Sequence, residues 1–278
     1  MTLSTRKPWS ALVRVQADAG RPVTVDTFAY PDENALAEAA SALALKTINE
    51  ALRERGRAIV VLAGGKTPRA TYRLLARALI EEETPTTQLL WLFGDERWVP
   101  VNNPQSNEGM ARDFLLHPIG APASTVLSWE AGSGEPVDCA MRYAQRAGDA
   151  MRGLEADLAF LGVGADGHTA SLFPDGVAHF SSGRSVEVGP EIPGFAAAVQ
   201  SPSAGGWRLT LCPGALNAAR MVAFLVAGGD KAAAFQRARA GDPATPAAWI
   251  RGKRTIFMAT RGAFGPETAN FGRDVRHA

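Results

Sequence analysis

Cysteine is scarce in this chain of 278 residues, which contains only Cys139 and Cys212. The two follow neither a C-x-x-C pattern nor metal-ligand spacing, so we interpret both as small core residues in a reducing compartment. Long apolar runs are also missing: residues 1–15 contain none long enough for a signal peptide, and no stretch approaches the ~20 apolar residues of a membrane span. We therefore predict a cytoplasmic protein with no membrane partner.

A charge excess is missing too, because 29 basic and 28 acidic residues leave a net charge of +1. Proteins that bind nucleic acid through general electrostatics carry a basic excess, so we expect no nucleic-acid partner. Any anion that this protein binds must be held by a local cluster of cations.

Several catalytic motifs are absent as well. The G-x-S-x-G pattern of α/β-hydrolases and the G-x-x-x-x-G-K-[ST] spacing of nucleotide-binding P-loops do not occur. Nor does H-E-x-x-H, and the spacing of the histidines is not that of metal ligands, which disfavours a required metal. The four histidines are His117, His168, His179 and His277.

Apolar strands alternate with amphipathic helices along most of the chain, which predicts an α/β fold with a mainly parallel sheet and helices on both faces. We expect one domain over residues 23–278, preceded by an N-terminal arm of residues 1–22, because no linker or repeat is present. The predicted strands are 23–28, 57–63, 88–93, 157–162, 195–199, 207–211, 221–227 and 255–259. The predicted helices are 32–56, 69–80, 107–116, 136–154, 213–219 and 230–240, with a loop over 175–193.

Four loops follow apolar strands: residues 64–68, 94–107, 162–171 and 228–231. Because parallel strands are joined by right-handed crossovers, these loops should meet at one edge of the sheet. Ligands of open α/β sheets bind at that edge. The four loops are therefore predicted to build one site.

The loop at 162–171 contains His168, two residues after Asp166. Histidine exchanges a proton near neutral pH, although a lone histidine is more often structural than catalytic. Gly162 to Gly167 also matches the dinucleotide pattern G-x-G-x-x-G, but that site needs a following helix, which Pro174 and Gly176 interrupt. We interpret the match as accidental and His168 as a candidate for chemistry.

Cations near three of the strand ends favour an anion site. Gly64-Gly-Lys-Thr-Pro68 suits an anion cradle, with Thr67 as a helix N-cap and Pro68 in the first helical turn, although an ordinary turn explains it equally well. Lys231 is predicted in the first turn of a helix, where a cation opposes the helix dipole by roughly 0.3–1 kcal/mol. With Lys66 and Arg97 at neighbouring loops, a bound phosphate explains this placement better than three solvated side chains.

These residues give the chain a resemblance to 6-phosphogluconolactonases over roughly residues 23–260. The resemblance rests on Gly64-Gly-Lys-Thr-Pro68, Gly94-Asp-Glu-Arg-Trp-Val-Pro100 with Ser106-Asn107, Leu161-Gly-Val-Gly-Ala-Asp-Gly-His-Thr-Ala-Ser-Leu-Phe-Pro174, Trp207-Arg-Leu-Thr-Leu211 and Gly228-Gly-Asp-Lys231. The third motif is long and specific. Lys66 is a departure, because many members carry serine there.

The resemblance implies a three-layer α/β/α fold, a modified Rossmann fold like that of sugar-phosphate isomerases and deaminases. It implies hydrolysis of 6-phospho-D-glucono-1,5-lactone in the oxidative pentose phosphate pathway, without a cofactor, by a monomer or weak homo-oligomer. It makes His168 the general base, with Asp166 either orienting His168 or shaping the loop. Arg97 and Lys231 would bind the phosphate, and the other expected substrate-binding residues are Gly64, Gly65, Lys66, Thr67, Asp95, Asn107 and Arg208. Oxyanion donors could come from Gly64–Gly65 or from Gly162–Gly167.

Two alternatives remain. Glucosamine-6-phosphate deaminases share the fold, but the resemblance places a glutamate five residues after their histidine, where this chain has Phe173, and Asp-Glu-Tyr where it has Asp95-Glu-Arg97. A non-catalytic sugar-phosphate sensor is usually fused to a DNA-binding segment, and no such pattern precedes residue 23. Both comparisons favour the lactonase.

Overall fold

A computed structural model describes residues 14–15 and 25–265 of the chain. The predicted arm over residues 1–22 lies outside the described residues, apart from Arg14–Val15. The single domain over residues 23–278 remains a prediction, because residues 23–24 and 266–278 also lie outside the described residues.

The elements alternate much as predicted. The strands are β1 (Arg14–Val15), β2 (Val25–Tyr30), β3 (Ala58–Leu62), β4 (Leu89–Phe93), β5 (Asp95–Arg97), β6 (Leu158–Gly162), β7 (Val177–His179), β8 (Ser185–Glu187), β9 (Ala196–Ser201), β10 (Gly206–Leu211), β11 (Met221–Val226) and β12 (Arg254–Thr260). The α-helices are α1 (Glu33–Arg55), α2 (Pro68–Glu81), α3 (Asn107–Ala111), α4 (Pro136–Met151), α5 (Pro213–Asn217), α6 (Ala232–Ala240) and α7 (Pro246–Trp249). A π-helical turn, Arg112–Leu116, continues α3, and a 3₁₀ turn, Gly229–Lys231, precedes α6.

The larger sheet has the strand order β1-β2-β12-β11-β6-β3-β4, and every neighbouring pair except β1–β2 is parallel. All residues of β3 and β4 are buried, as expected for apolar strands covered on both faces. The α/β class with a mainly parallel sheet is confirmed. Because β11, β6, β3 and β4 are successive neighbours, the loops after these strands lie side by side.

A second sheet was only partly predicted. It is antiparallel, with the order β5-β10-β9-β7-β8, and the strands predicted at 195–199 and 207–211 form its neighbouring pair β9 and β10. The prediction of a loop over residues 175–193 is wrong where β7 and β8 form. These strands have only three residues each and form by pairing with β9 and with each other, so their local sequence carries no strand period.

Local sequence signals account for the helix that covers part of the larger sheet. The Asp32 carboxylate accepts from the N–H of Ala35 at 2.9 Å and begins α1, while Gly56, at φ +66°, ends it.

Cys139 and Cys212 are free and buried, as predicted, and burial raises the pKa of the Cys139 thiol to about 11. Among the described residues, no helix is long and apolar enough to cross a membrane.

Candidate active site

A cavity of about 260 Å³ lies at the carboxyl ends of β3, β4, β6 and β11, where the four loops were predicted to meet. The predicted residues that line it are Gly64, Gly65, Lys66, Thr67, Asp95, Arg97, Asn107, His168 and Lys231. Asp166 contacts His168 from outside the lining, and Arg208 does not line the cavity. The expectation that the four loops meet at one edge of the sheet is therefore confirmed, and together they line one cavity.

The His168 imidazole is held by the Asp166 carboxylate. Nδ1 of His168 lies 2.6 Å from Oδ1 of Asp166, which also accepts the His168 backbone N–H at 3.1 Å. Asp166 therefore contacts both the ring and the loop backbone, so orienting the ring and shaping the loop are not exclusive. An ionised Asp166 accepts a hydrogen bond from the N–H at Nδ1 and leaves Nε2 of His168 as the free acceptor.

Gly164 allows this loop to close. Its N–H donates to the His168 carbonyl at 2.8 Å, and a Cβ at this position would lie 2.2 Å from Nδ1 of His168. Any larger residue would displace the imidazole from Asp166. Phe173 packs on the other side of the ring, with ring centroids 4.6 Å apart.

Asp95 links two of the loops from inside the cavity wall. Its carboxylate accepts from Nδ2 of Asn107 at 3.0 Å and from Oγ of Ser171 at 2.6 Å. Ser171 was not predicted as a site residue, because it lies 76 positions from Asp95 and only its place after His168 hinted at a role. The preceding Ala170 has φ +47°, an unfavourable conformation for a residue other than glycine.

Three cations line the cavity: Lys66, Arg97 and Lys231. The guanidinium of Arg97 donates to the Gln105 carbonyl at 2.5 Å, whereas neither lysine forms an ion pair with a described residue. Lys231 ends the 3₁₀ turn and immediately precedes α6, whereas it was predicted within the first turn of that helix. Unpaired cations beside the start of a helix fit an anionic ligand.

The loop before α2 lines the cavity and contains backbone donors without a hydrogen-bond partner among the described residues. Within the described part of the chain, the N–H groups of residues 64–67 donate no hydrogen bond, and Pro68 occupies the first turn of α2 as predicted. The predicted N-cap role of Thr67 is wrong: its own backbone is already helical, and its side chain forms no capping bond. Gly64 permits close packing, because a Cβ there would lie 1.9 Å from the Asn107 amide.

Arg208 lies opposite Arg97 in the β10–β5 register but does not line the cavity. Its guanidinium donates to the carbonyls of Ala204 at 2.7 Å and Trp207 at 3.1 Å. Burial and the neighbouring positive charge of Arg97 lower the pKa of Arg208.

The described residues contain no group of three His, Cys, Asp or Glu side chains that could hold a metal ion. The cavity is lined by the His168 imidazole, the buried Asp95 carboxylate, three cations and the backbone of the 64–67 loop.

Comparison with known proteins identifies relatives of this chain along most of its length. A 6-phosphogluconolactonase from Mycobacterium tuberculosis is 34% identical over 245 residues, which cover 84% of this chain and 95% of that protein. The structure of a 6-phosphogluconolactonase from Thermotoga maritima superposes with a TM-score of 0.72 at 24% identity and covers 86% of this chain and 100% of that one.

The fold alone does not separate the two activities known for it. A monomeric glucosamine-6-phosphate deaminase superposes with a TM-score of 0.70 at 19% identity, covering 86% of this chain and 98% of that one. The sequence of residues 31–258 matches the family described as glucosamine-6-phosphate isomerases/6-phosphogluconolactonase. With that match and the mycobacterial relative, the chain belongs to the family of glucosamine-6-phosphate isomerases and 6-phosphogluconolactonases.

Proposed function

We propose that this protein is a 6-phosphogluconolactonase that hydrolyses 6-phospho-D-glucono-1,5-lactone to 6-phosphogluconate in the oxidative pentose phosphate pathway. One observation carries the proposal: an imidazole oriented by a carboxylate faces the same cavity as three cations. The relatives named 6-phosphogluconolactonase support the choice of substrate.

In the proposed reaction, Nε2 of His168 accepts a proton from water as the water oxygen attacks the lactone carbonyl carbon. The bond between that carbon and the ring oxygen then breaks, and the imidazolium returns its proton to the departing oxygen. Asp166, 2.6 Å from Nδ1, stabilises the positive charge on the ring between these steps. The lactone is an activated ester, so an oriented base, hydrogen-bond donors for the developing oxyanion and a bound phosphate are sufficient in this scheme.

The phosphate is proposed to bind between the 64–67 loop, Arg97 and Lys231. The loop supplies free N–H groups, and the side chains supply positive charge. In the competing 162–167 loop, the N–H groups of Gly164 and Gly167 already donate within the loop. This favours the 64–67 loop as the source of backbone donors for an anion.

A rate assay with freshly generated lactone tests the function, because the lactone also hydrolyses spontaneously. We expect the protein to accelerate hydrolysis well above an enzyme-free control and to keep its activity in EDTA. The unphosphorylated lactone should be a poor substrate. A rate equal to the control would exclude the proposed activity.

The deaminase alternative is disfavoured by the residue beside the histidine. Phe173 stands where the deaminases carry a glutamate, and its ring packs against that of His168. A phenylalanine there supplies no titratable group for deaminase chemistry. The same preparation should therefore release no ammonia from glucosamine 6-phosphate.

Asp166→Asn tests the orienting carboxylate. The amide cannot stabilise the imidazolium as a carboxylate does, so we expect kcat to fall about 10- to 100-fold, the size of effect that misplacing a catalytic group produces. KM should change little, because Asp166 lies away from the proposed phosphate site. Steady-state kinetics on the phosphorylated lactone measure both constants, and an unchanged kcat would contradict the orienting role.

Lys66→Ser tests the cation that distinguishes this chain from many relatives. Lys66 is exposed at the rim of the cavity, so its charge is screened by water, and we expect KM to rise only about two- to fivefold at low salt. The difference from the unmutated protein should shrink as salt is added. A KM independent of the substitution at every ionic strength would show that Lys66 merely faces solvent.

A further inference from the structure

Glu96 is a buried carboxylate that the proposed mechanism does not use. It is 2% exposed and lies between Asp95 and Arg97 on β5. Both neighbours line the cavity, and since alternate side chains of a strand face opposite ways, Glu96 points away from it. Its role must therefore be exerted through other residues.

Four donors converge on this carboxylate. Oε1 accepts the N–H of Arg97 at 2.7 Å and of Asn107 at 2.8 Å. Oε2 accepts the N–H of Glu108 at 2.8 Å and the hydroxyl of Ser106 at 2.9 Å. Among the described residues no cation forms an ion pair with Glu96, so its carboxylate is held in place by these hydrogen bonds.

The donors come from two segments that form one wall of the cavity. Asn107 and Glu108 provide the first N–H groups of α3, which have no partner within the helix. The next one, from Gly109, donates to the Ser106 hydroxyl. Glu96 thereby ties β5 to the residues that begin α3.

The same two segments are joined again on the cavity side. The Arg97 guanidinium donates to the Gln105 carbonyl, and the Asn107 amide donates to the carbonyl and carboxylate of Asp95. Arg97 is thus held at its backbone by Glu96 and at its guanidinium by the segment that Glu96 binds. If the hydrogen bonds to Glu96 were lost, the Arg97 guanidinium and the Asn107 amide would no longer be held at fixed positions relative to each other.

We infer that Glu96 is a positioning residue, whose carboxylate clamps β5 to residues 106–108 and so holds Arg97 where the substrate phosphate binds. The inference rests on the proposed function for the identity of the anion. Burial raises the pKa of Glu96, and the hydrogen bonds from Glu108, Asn107, Arg97 and Ser106 oppose this shift. The donors therefore stabilise the ionised form that accepts all four bonds.

Glu96→Gln is the most direct test, because glutamine keeps the volume of glutamate. Its NH₂ group is a donor, so it cannot accept the hydrogen bonds that one carboxylate oxygen accepts. Asp157→Asn is the matched control. Asp157 is also a buried carboxylate, accepts the N–H of Ile59 at 2.9 Å, and lies before β6, at the opposite edge of the sheet. Burial raises the pKa of Asp157 as well, and its carboxylate also pairs with the guanidinium of Arg55 at 2.5 Å.

We expect Glu96→Gln to raise KM for the phosphorylated lactone about tenfold relative to Asp157→Asn, the effect of weakening one charge-assisted hydrogen bond to the ligand. Turnover of the unphosphorylated lactone at subsaturating concentration should be similar in the two variants. If Glu96→Gln and Asp157→Asn lost the same thermal stability and had equal KM values, Glu96 would contribute only to stability. That result would overturn the inference.

A second variant and a phosphate-binding measurement test the role of Glu96 independently of Glu96→Gln kinetics. If Glu96→Gln does not fold, Ser106→Ala removes one of the four donors and should raise KM a few-fold in the same direction; an unchanged KM would overturn the clamp. Inorganic phosphate should raise the melting temperature of the unmutated protein and of Asp157→Asn more than that of Glu96→Gln. This binding result does not depend on lactonase activity, so a failed function and a failed clamp are distinguishable.

Discussion

Replacing His168 by alanine is expected to lower kcat for the phosphorylated lactone by about 10²- to 10⁴-fold, the usual contribution of a positioned general base. KM should change much less, because the base acts mainly in the transition state and the proposed phosphate contacts are left in place. Steady-state kinetics with subtraction of the spontaneous rate measure both constants. A kcat equal to that of the unmutated enzyme would remove His168 from the mechanism.

His179→Ala is the control for this prediction. His179 lies on β7, where its Nδ1 is 2.8 Å from the Ser185 hydroxyl and its ring meets the edge of Trp207. It lies outside the cavity that contains His168. We expect this variant to lose some stability and to keep its kcat, which separates loss of the base from the general effect of deleting an imidazole.

Replacing Lys231 by alanine is expected to raise KM for the phosphorylated lactone about 10- to 100-fold, the effect of losing a charge-assisted hydrogen bond to the phosphate. The value of kcat should fall much less, because Lys231 is proposed to contact the phosphate and not the reacting carbonyl. The unphosphorylated lactone, already a poor substrate, should be converted at an unchanged rate. An equal loss with both lactones would contradict the phosphate role.

Lys253→Ala is the matched control for charge. Lys253 is exposed, donates to the Glu155 carboxylate at 2.6 Å and precedes β12, so it lies at the opposite edge of the sheet from the cavity. Its loss removes the same charge from the molecule without touching the site. The KM of this variant should match that of the unmutated enzyme, and a rise comparable to that of Lys231→Ala would indicate a long-range charge effect.

Much of the fold follows from local signals. Asp32 and Gly56 mark the two ends of α1, because capping is a contact between residues close in the chain. Pro68 begins α2, because its ring suits a first helical turn. The gathering of the four loops follows from the parallel order of their strands. Thr67 shows the limit of such reasoning: its residue type suits a cap, but its backbone conformation, set by the packed loop, does not allow one.

What the local sequence could not predict depends on contacts between distant residues. β7 and β8 exist through pairing with β9 and with each other, the Ser171–Asp95 bond spans 76 positions, and the orientation of Arg208 is set by the carbonyls of Ala204 and Trp207. The role of Glu96 was missed for the same reason, because three of its four donors lie ten or more positions away.

Three features can be recognised from the residues alone: the alternation of strands and helices, the four loops with their glycines and cations, and the histidine at a strand end. Hydrophobic period, capping and turn chemistry act over a few residues, so these features can be recognised without coordinates. Which side chains line the cavity, and which support its wall from behind, follows from the folded chain. That outcome depends on side-chain packing and on hydrogen bonds between distant segments, which place Asp166 against His168 and bury Glu96 behind Arg97.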